Sequence, residues 1–202
     1  MSYLTEMNIR NISISLCILI NQQAFATSSE SDIDYAVDQI SFAIPGHGEL
    51  FLDVPRIWDY NFTVTDENNP PLITFYNLDK NDAEIFQLNM SVLWEDGFKR
   101  TISSPQYIRS LVQQTGADIL AHSDQTELTL IEITGAKGVG YLFDLSDSKA
   151  NEGEYHYLTQ GAIGVGKVLL VFSLFSNDKD AILREAMLNS LKSAQYRFRN
   201  DV

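Results

Sequence analysis

Glu84-Ile85-Phe86-Gln87-Leu88-Asn89-Met90-Ser91-Val92-Leu93 is the most strictly patterned run in the chain. Phe86, Leu88, Met90 and Val92 alternate with Gln87, Asn89 and Ser91. A period of two does not suit a helix, which brings one face round every 3.6 residues. In an extended chain it sets the four apolar side chains on one face and the polar ones on the other. That is the pattern of a strand in a sheet covered more heavily on one side.

Toward the N-terminus, similar runs precede it. Leu72 to Tyr76 follows Pro70-Pro71, and Glu49 to Val54 ends at Pro55. Gln39 to Ile44 places Ile40, Phe42 and Ile44 on one side and stops at Pro45-Gly46-His47-Gly48. Toward the C-terminus, Ser104-Pro105 has the cap-then-proline signature of a helix start. Ile108, Leu111, Val112, Ile119 and Leu120 then recur at helical spacing, with Gly116 as a point where the helix bends or ends. Four strands are expected next, at Glu127 to Ile133, Val139 to Leu145, Tyr155 to Val165 and Lys167 to Phe175. The links between them, such as Gly135-Ala136-Lys137-Gly138 and Ala150-Asn151-Glu152-Gly153, are too short for crossovers, so the strands form an antiparallel meander. After Asn177-Asp178, a closing helix carries Ile182, Leu183, Ala186, Met187, Leu191 and Ala194 at a 3.6-residue period. The expected fold is α+β: an antiparallel sheet flanked by helices in an α/β/α-type sandwich, because the apolar face of such a sheet needs a covering layer.

The first 26 residues read as an export signal. Arg10 supplies a positive start, Ile12 to Ile20 an apolar run, and Ala24-Phe25-Ala26 a small-x-small cleavage site with Ala24 and Ala26 at its ends. Met7 is the alternative start, since Glu6 sets an acid where this region favours positive charge. The run is well short of the roughly 20 residues that a bilayer span needs. Leu16 before Cys17 does not fit a lipoprotein anchor, so no stable membrane anchor is expected after processing. Residues 27–34 then read as a flexible N-terminal segment and 35–202 as a single α+β domain, placed in the periplasm or secreted. About 175 residues remain, enough to bury roughly 70% of the unfolded surface in one domain. Cys17 is the only cysteine, so the exported domain has no disulfide, no thiolate metal site and no cysteine nucleophile.

The chain carries 27 acidic and 14 basic residues, for a formal net charge of −13. Loss of the signal removes Glu6 and Arg10 together and leaves that balance unchanged. Nucleic acid is excluded as a partner, because phosphate binding depends on clustered Lys and Arg.

No cofactor and no metal is expected. His47, His122 and His156 share no ligand spacing. His47 lies in a glycine turn, where solvation is the default. His156 sits between Tyr155 and Tyr157 in an expected strand and points away from both. No G-x-S-x-G elbow occurs, and Gly135 to Gly140 lacks the order of a phosphate loop and reads as a hairpin turn. Asp144 and Asp147 lack calcium-loop spacing. Asn61-Phe62-Thr63 and Asn89-Met90-Ser91 match glycosylation acceptors only by coincidence in a bacterially exported chain. Aromatic residues mostly build cores. A minority can line a partner groove, and the candidates are Trp58, Tyr155, Tyr157 and Gln160.

The order of elements resembles the family of the extrinsic photosystem subunit PsbP and its non-photosynthetic bacterial relatives, a fold shared with a eukaryotic Ran-binding import factor. The residues that carry the resemblance are the early strand, Val54-Pro55-Arg56-Ile57-Trp58, the strand after Pro70-Pro71 and the helix around Tyr107 to Gln114. The strand regions Gly140 to Asp147 and Tyr155 to Phe175 and the closing helix complete it, from Ile40 to Tyr196. The resemblance implies a noncatalytic accessory or binding module that docks onto a protein or envelope component. The alternative is a periplasmic hydrolase whose site is assembled from distant acids such as Glu132, Asp144 and Glu154.

Overall fold

The computed structural model describes residues 36–64, 69–78, 84–95, 101–151 and 153–198. The expected signal with Ala24 and Ala26, and the segment 27–34, lie outside the described residues. In chain order the elements are β1 (Val37–Ile44), β2 (Gly48–Pro55), β3 (Asp59–Thr63), β4 (Leu72–Leu78), β5 (Glu84–Trp94), α1 (Pro105–Leu120), β6 (Ile131–Gly135), β7 (Gly138–Ser146), β8 (Tyr157–Val165), β9 (Val168–Ser176), α2 (Ala181–Ser193) and β10 (Gln195–Arg197). The fold is α+β.

The run 84–93 is β5, and it lies near the middle of a seven-stranded antiparallel sheet of order β3-β4-β5-β9-β8-β7-β6. β6 to β9 form the expected antiparallel meander, with tight turns at 136–137 and 166–167 and a longer link, 147–156, between β7 and β8. The meander joins the earlier strands where β9 pairs with β5, with Met90 opposite Phe172.

The two faces of this sheet bury different partners. On one, Phe75, Leu88, Met90, Leu170 and Phe172 pack with Phe42, Leu50 and Leu52 of the early strands and with Leu183, Met187 and Leu191 of α2. On the other, Leu93, Phe143, Leu145, Ala162 and Leu169 pack with Ile108 and Val112 of α1. Each such large side chain contributes about 1.5–3 kcal/mol when fully buried.

Both helices are fixed at their starts. Ser104 accepts a hydrogen bond from the Tyr107 N–H, and Pro105 takes the first helical position. Asp180 accepts from the N–H groups of Ile182 and Leu183. Gly116 does not end α1, which continues to Leu120. A Cβ at Gly116 would lie 2.7 Å from the Leu128 methyls and 3.0 Å from Phe143, so its role is close helix-to-sheet approach.

One layer differs from the expected sandwich. The cover on the larger apolar face is α2 together with a second, three-stranded sheet, β1-β2-β10. β1 and β2 close on each other because Gly46 and Gly48 adopt positive φ in a tight hairpin. β10 adds to the free side of β2, with Tyr196 opposite Leu50. The alternating pattern identified β1 and β2 as strands but gave no sign that they leave the main sheet. β3 and β10 went unread because one is an exposed edge of mixed composition and the other has only three residues.

Candidate functional site

β3, β4, β5, β9 and β8 carry a row of neutral polar side chains across the α1 side of the large sheet. Asn61 stands opposite Thr74, Thr74 opposite Asn89, Asn89 opposite Ser173, and Ser173 opposite Gln160. Residues directly opposite in an antiparallel pair share a face, so the five groups align. The next residue in the row is Phe143, which lies in the cluster packed on α1. The row therefore runs from the open edge β3 to the helix-covered half of the sheet.

Over its outer part, the face is concave. A depression of about 590 Å³ is lined, among the described residues, by Asn61, Thr63, Thr74, Tyr76, Glu84 and Gln87 together with Phe62 and Leu78. Its hydrogen bonding is directional. The Thr74 hydroxyl donates to Asn89 Oδ1 at 2.9 Å, and Gln87 Nε2 donates to the same oxygen at 3.2 Å. Asn89 is only 4% exposed, so it acts as the buried anchor that holds Thr74 and Gln87 in place.

Glu84 forms the rim. Its carboxylate accepts a hydrogen bond from the Tyr155 hydroxyl at 3.1 Å, and the Tyr155 ring lies 6.0 Å from that of Phe175. Burial first, and the Glu84 charge second, raise the Tyr155 pKa above its ordinary value of 10.0. The phenol thus stays protonated and keeps donating.

Of the four groove candidates, the structure brings two to this face. Tyr155 holds Glu84 at the rim, and Gln160 is the inner member of the polar row, 4% exposed. Gln160 Oε1 has no hydrogen-bond partner among the described residues. Tyr157 faces the other way, because three residues along a strand reverse the side-chain direction. Trp58 is a core residue. The turn bond from its N–H to the Pro55 carbonyl places the indole beside Phe86 and Phe75, with ring centres 5.0 and 6.0 Å away.

The acids of the hydrolase alternative do not come together. Glu132 accepts the Tyr141 hydroxyl at 3.0 Å on the α1 side of the sheet. Asp144 lies on the opposite face, bound by Thr159 and by Arg184 of α2. Glu154 accepts from the backbone and side-chain nitrogens of Asn151 in a loop, and these bonds lower its pKa. Among the described residues, no three His, Cys, Asp or Glu side chains are grouped to hold a metal. His47 is not a freely solvated turn residue: its ring stacks on Trp94 at 4.1 Å. His156 precedes β8, and its Nδ1 lies 3.0 Å from the Asp147 carbonyl. The glycine-rich stretch forms the β6–β7 hairpin turn at Ala136-Lys137.

The sequence pattern put Gln87, Asn89 and Ser91 on one face, yet it missed Asn61, Thr74, Tyr76 and Glu84 as neighbours. The weak signal for Thr74 and Tyr76 was their alternation with Ile73 and Phe75. Only strand register turns that into proximity.

Neither a protein-family model nor a curated protein matches the chain. Among solved structures, it is similar to the solution structure of cyanobacterial PsbP from Synechocystis sp. PCC 6803. That likeness has 12% identity and a TM-score of 0.49, over 85% of this chain and 98% of that one. It is also similar to a crystal structure from Bacteroides thetaiotaomicron VPI-5482, at 12% identity and a TM-score of 0.48. There it covers 75% of this chain and 46% of that one, so the chain spans less than half the length of the Bacteroides protein. Neither likeness says anything of activity. Among the described residues, no helix is long and apolar enough to cross a membrane.

Proposed function

We propose that the chain is a noncatalytic binding module that works in the periplasm after loss of residues 1–26, docking onto a protein or envelope component. The observation that carries this reading is the in-register polar row with its depression over β3 to β5. Side chains already held in one arrangement lose little conformational freedom when they bind, which favours recognition. The export pattern ending at Ala26 supports the location, and the acidic balance disfavours nucleic acid.

Affinity capture from a native envelope extract tests the docking role, using the exported protein beside a Thr74→Val, Gln87→Leu double variant. The expected result is one dominant component retained by the first and lost by the second. Equal retention by both would remove the polar face from the function. Turnover of an envelope substrate that a single side-chain change abolishes would overturn the noncatalytic reading. Mass analysis of the exported chain should give an N-terminus at Thr27, and an intact residue 1–26 segment would refute the processing step.

A further inference from the structure

We propose that the depression over β3, β4 and β5 is a binding site for a short, neutral oligosaccharide. The proposal rests on the binding-module reading and names its ligand class. Among the described residues that line the depression, Glu84 is the only charged one. Among the described lining residues no Lys or Arg offsets this carboxylate, so the described lining repels anions. The described lining also supplies one anionic ligand, where proteins set the affinity of hard-cation sites largely by the number of charged ligands. The remaining polar lining is neutral amide and hydroxyl, which matches a ligand made of hydroxyl groups.

The direction of the internal bonds strengthens this match. The Thr74 hydroxyl proton and one Gln87 Nε2 proton are committed to Asn89 Oδ1. Gln87 Oε1 and the Thr74 oxygen are thereby oriented as acceptors, and an amide presents its acceptor and donor side by side, as a pair of vicinal sugar hydroxyls requires. Glu84, held by the Tyr155 hydroxyl, offers a fixed carboxylate for stronger, charge-assisted bonds. Tyr76 and Leu78 supply an apolar part of the lining for the C–H faces of a sugar ring. A volume of about 590 Å³ falls within the usual range for small-ligand sites. The polar row continues inward to buried Gln160, which does not line the depression.

An extended peptide fits less well. A peptide adding to the open edge of β3 would bond through its backbone to that strand. The depression instead reaches Gln87, two strands in, and is lined there by side chains.

Titration calorimetry of the exported protein with maltotetraose, cellotetraose and tetra-N-acetylchitotetraose tests the proposal. One of the three should bind at concentrations below about 10 mM, and Gln87→Leu should weaken that binding about tenfold or more. Tyr76→Ala should weaken it similarly. Thr63→Val, on the exposed edge strand, keeps the test open if an inner variant fails to fold. Lys167→Ala, in the distant β8–β9 turn, should bind as the parent does. The proposal fails if none of the three sugars binds, or if the lining variants leave binding unchanged. Failure here alongside a captured partner that still depends on Thr74 and Gln87 would discard the saccharide and keep the docking module. Loss of both results would discard both.

Discussion

On the side facing β1, β2 and α2, β5 presents Phe86, Leu88, Met90 and Val92, and every one is buried among apolar neighbours. On the side facing α1, the same strand presents Gln87, Asn89 and Ser91, and two of these three are buried as well. The faces therefore differ less in burial than in what burial achieves. The apolar face gains free energy from water exclusion in proportion to area. The polar face must balance each desolvated amide or hydroxyl with a hydrogen bond, and at Gln160 Oε1 it does not do so among the described residues. A sheet can thus have one face that specifies stability and another that keeps bonding capacity in reserve.

The largest expected effect lies on the apolar face. Phe172→Ala, at a fully buried position of β9, should cost about 3–5 kcal/mol, read as a lower urea midpoint. A cost below about 1 kcal/mol would mean that this face is not the main stabilising one. On the polar face, Asn89→Ala deprives both Thr74 and Gln87 of their shared acceptor and should cost about 1–3 kcal/mol.

Gln160→Met sharpens the contrast, because it removes a buried oxygen that has no partner among the described residues. It should leave stability unchanged or raise it by about 1 kcal/mol. A clear loss would show instead that a bound water satisfies Gln160 and that the polar face is as fully bonded as the apolar face is packed.

The smallest effect is confined to high pH. Tyr155 has a folded pKa raised above its ordinary value of 10.0 by burial and by Glu84, so its contribution is full below pH 10. It is lost as pH rises from there toward the folded value, because the unfolded chain releases the proton first. Unfolding free energy measured against pH should fall above pH 10 in the parent and fall less steeply in Tyr155→Phe. Identical slopes would mean that Tyr155 is not held against Glu84 in solution.

Much of the architecture was legible because it depends on local pattern. The alternation at 84–93, the hairpin links of the meander and the Ser104-Pro105 cap each act over a few residues. The separation of β1 and β2 from the main sheet was not legible, since alternation says which side of a strand is apolar but not which neighbour it will meet. The same limit applied to the site. Tyr155 and Gln160 were chosen as residues of one polar-tipped strand, yet Gln160 joins the row with Asn89 through strand register, while Tyr155 precedes β8 and meets Glu84 through its hydroxyl. Trp58 and Tyr157 were misplaced because a turn and the two-residue period, respectively, point them elsewhere.

The sequence by itself determined the class of fold, the apolar sides of β1 and β5, the start of α1 and the acidic, nearly cysteine-free character of the chain. Those properties follow from side-chain chemistry and from conformational preferences spanning one or two turns. Tertiary structure alone decided that β9 pairs with β5, that a second sheet covers one face, and that Asn61, Thr74, Asn89, Ser173 and Gln160 form one row. Such pairings join residues as far apart in the chain as Glu49 and Arg197, and their register is selected by the packing of the whole apolar face at once.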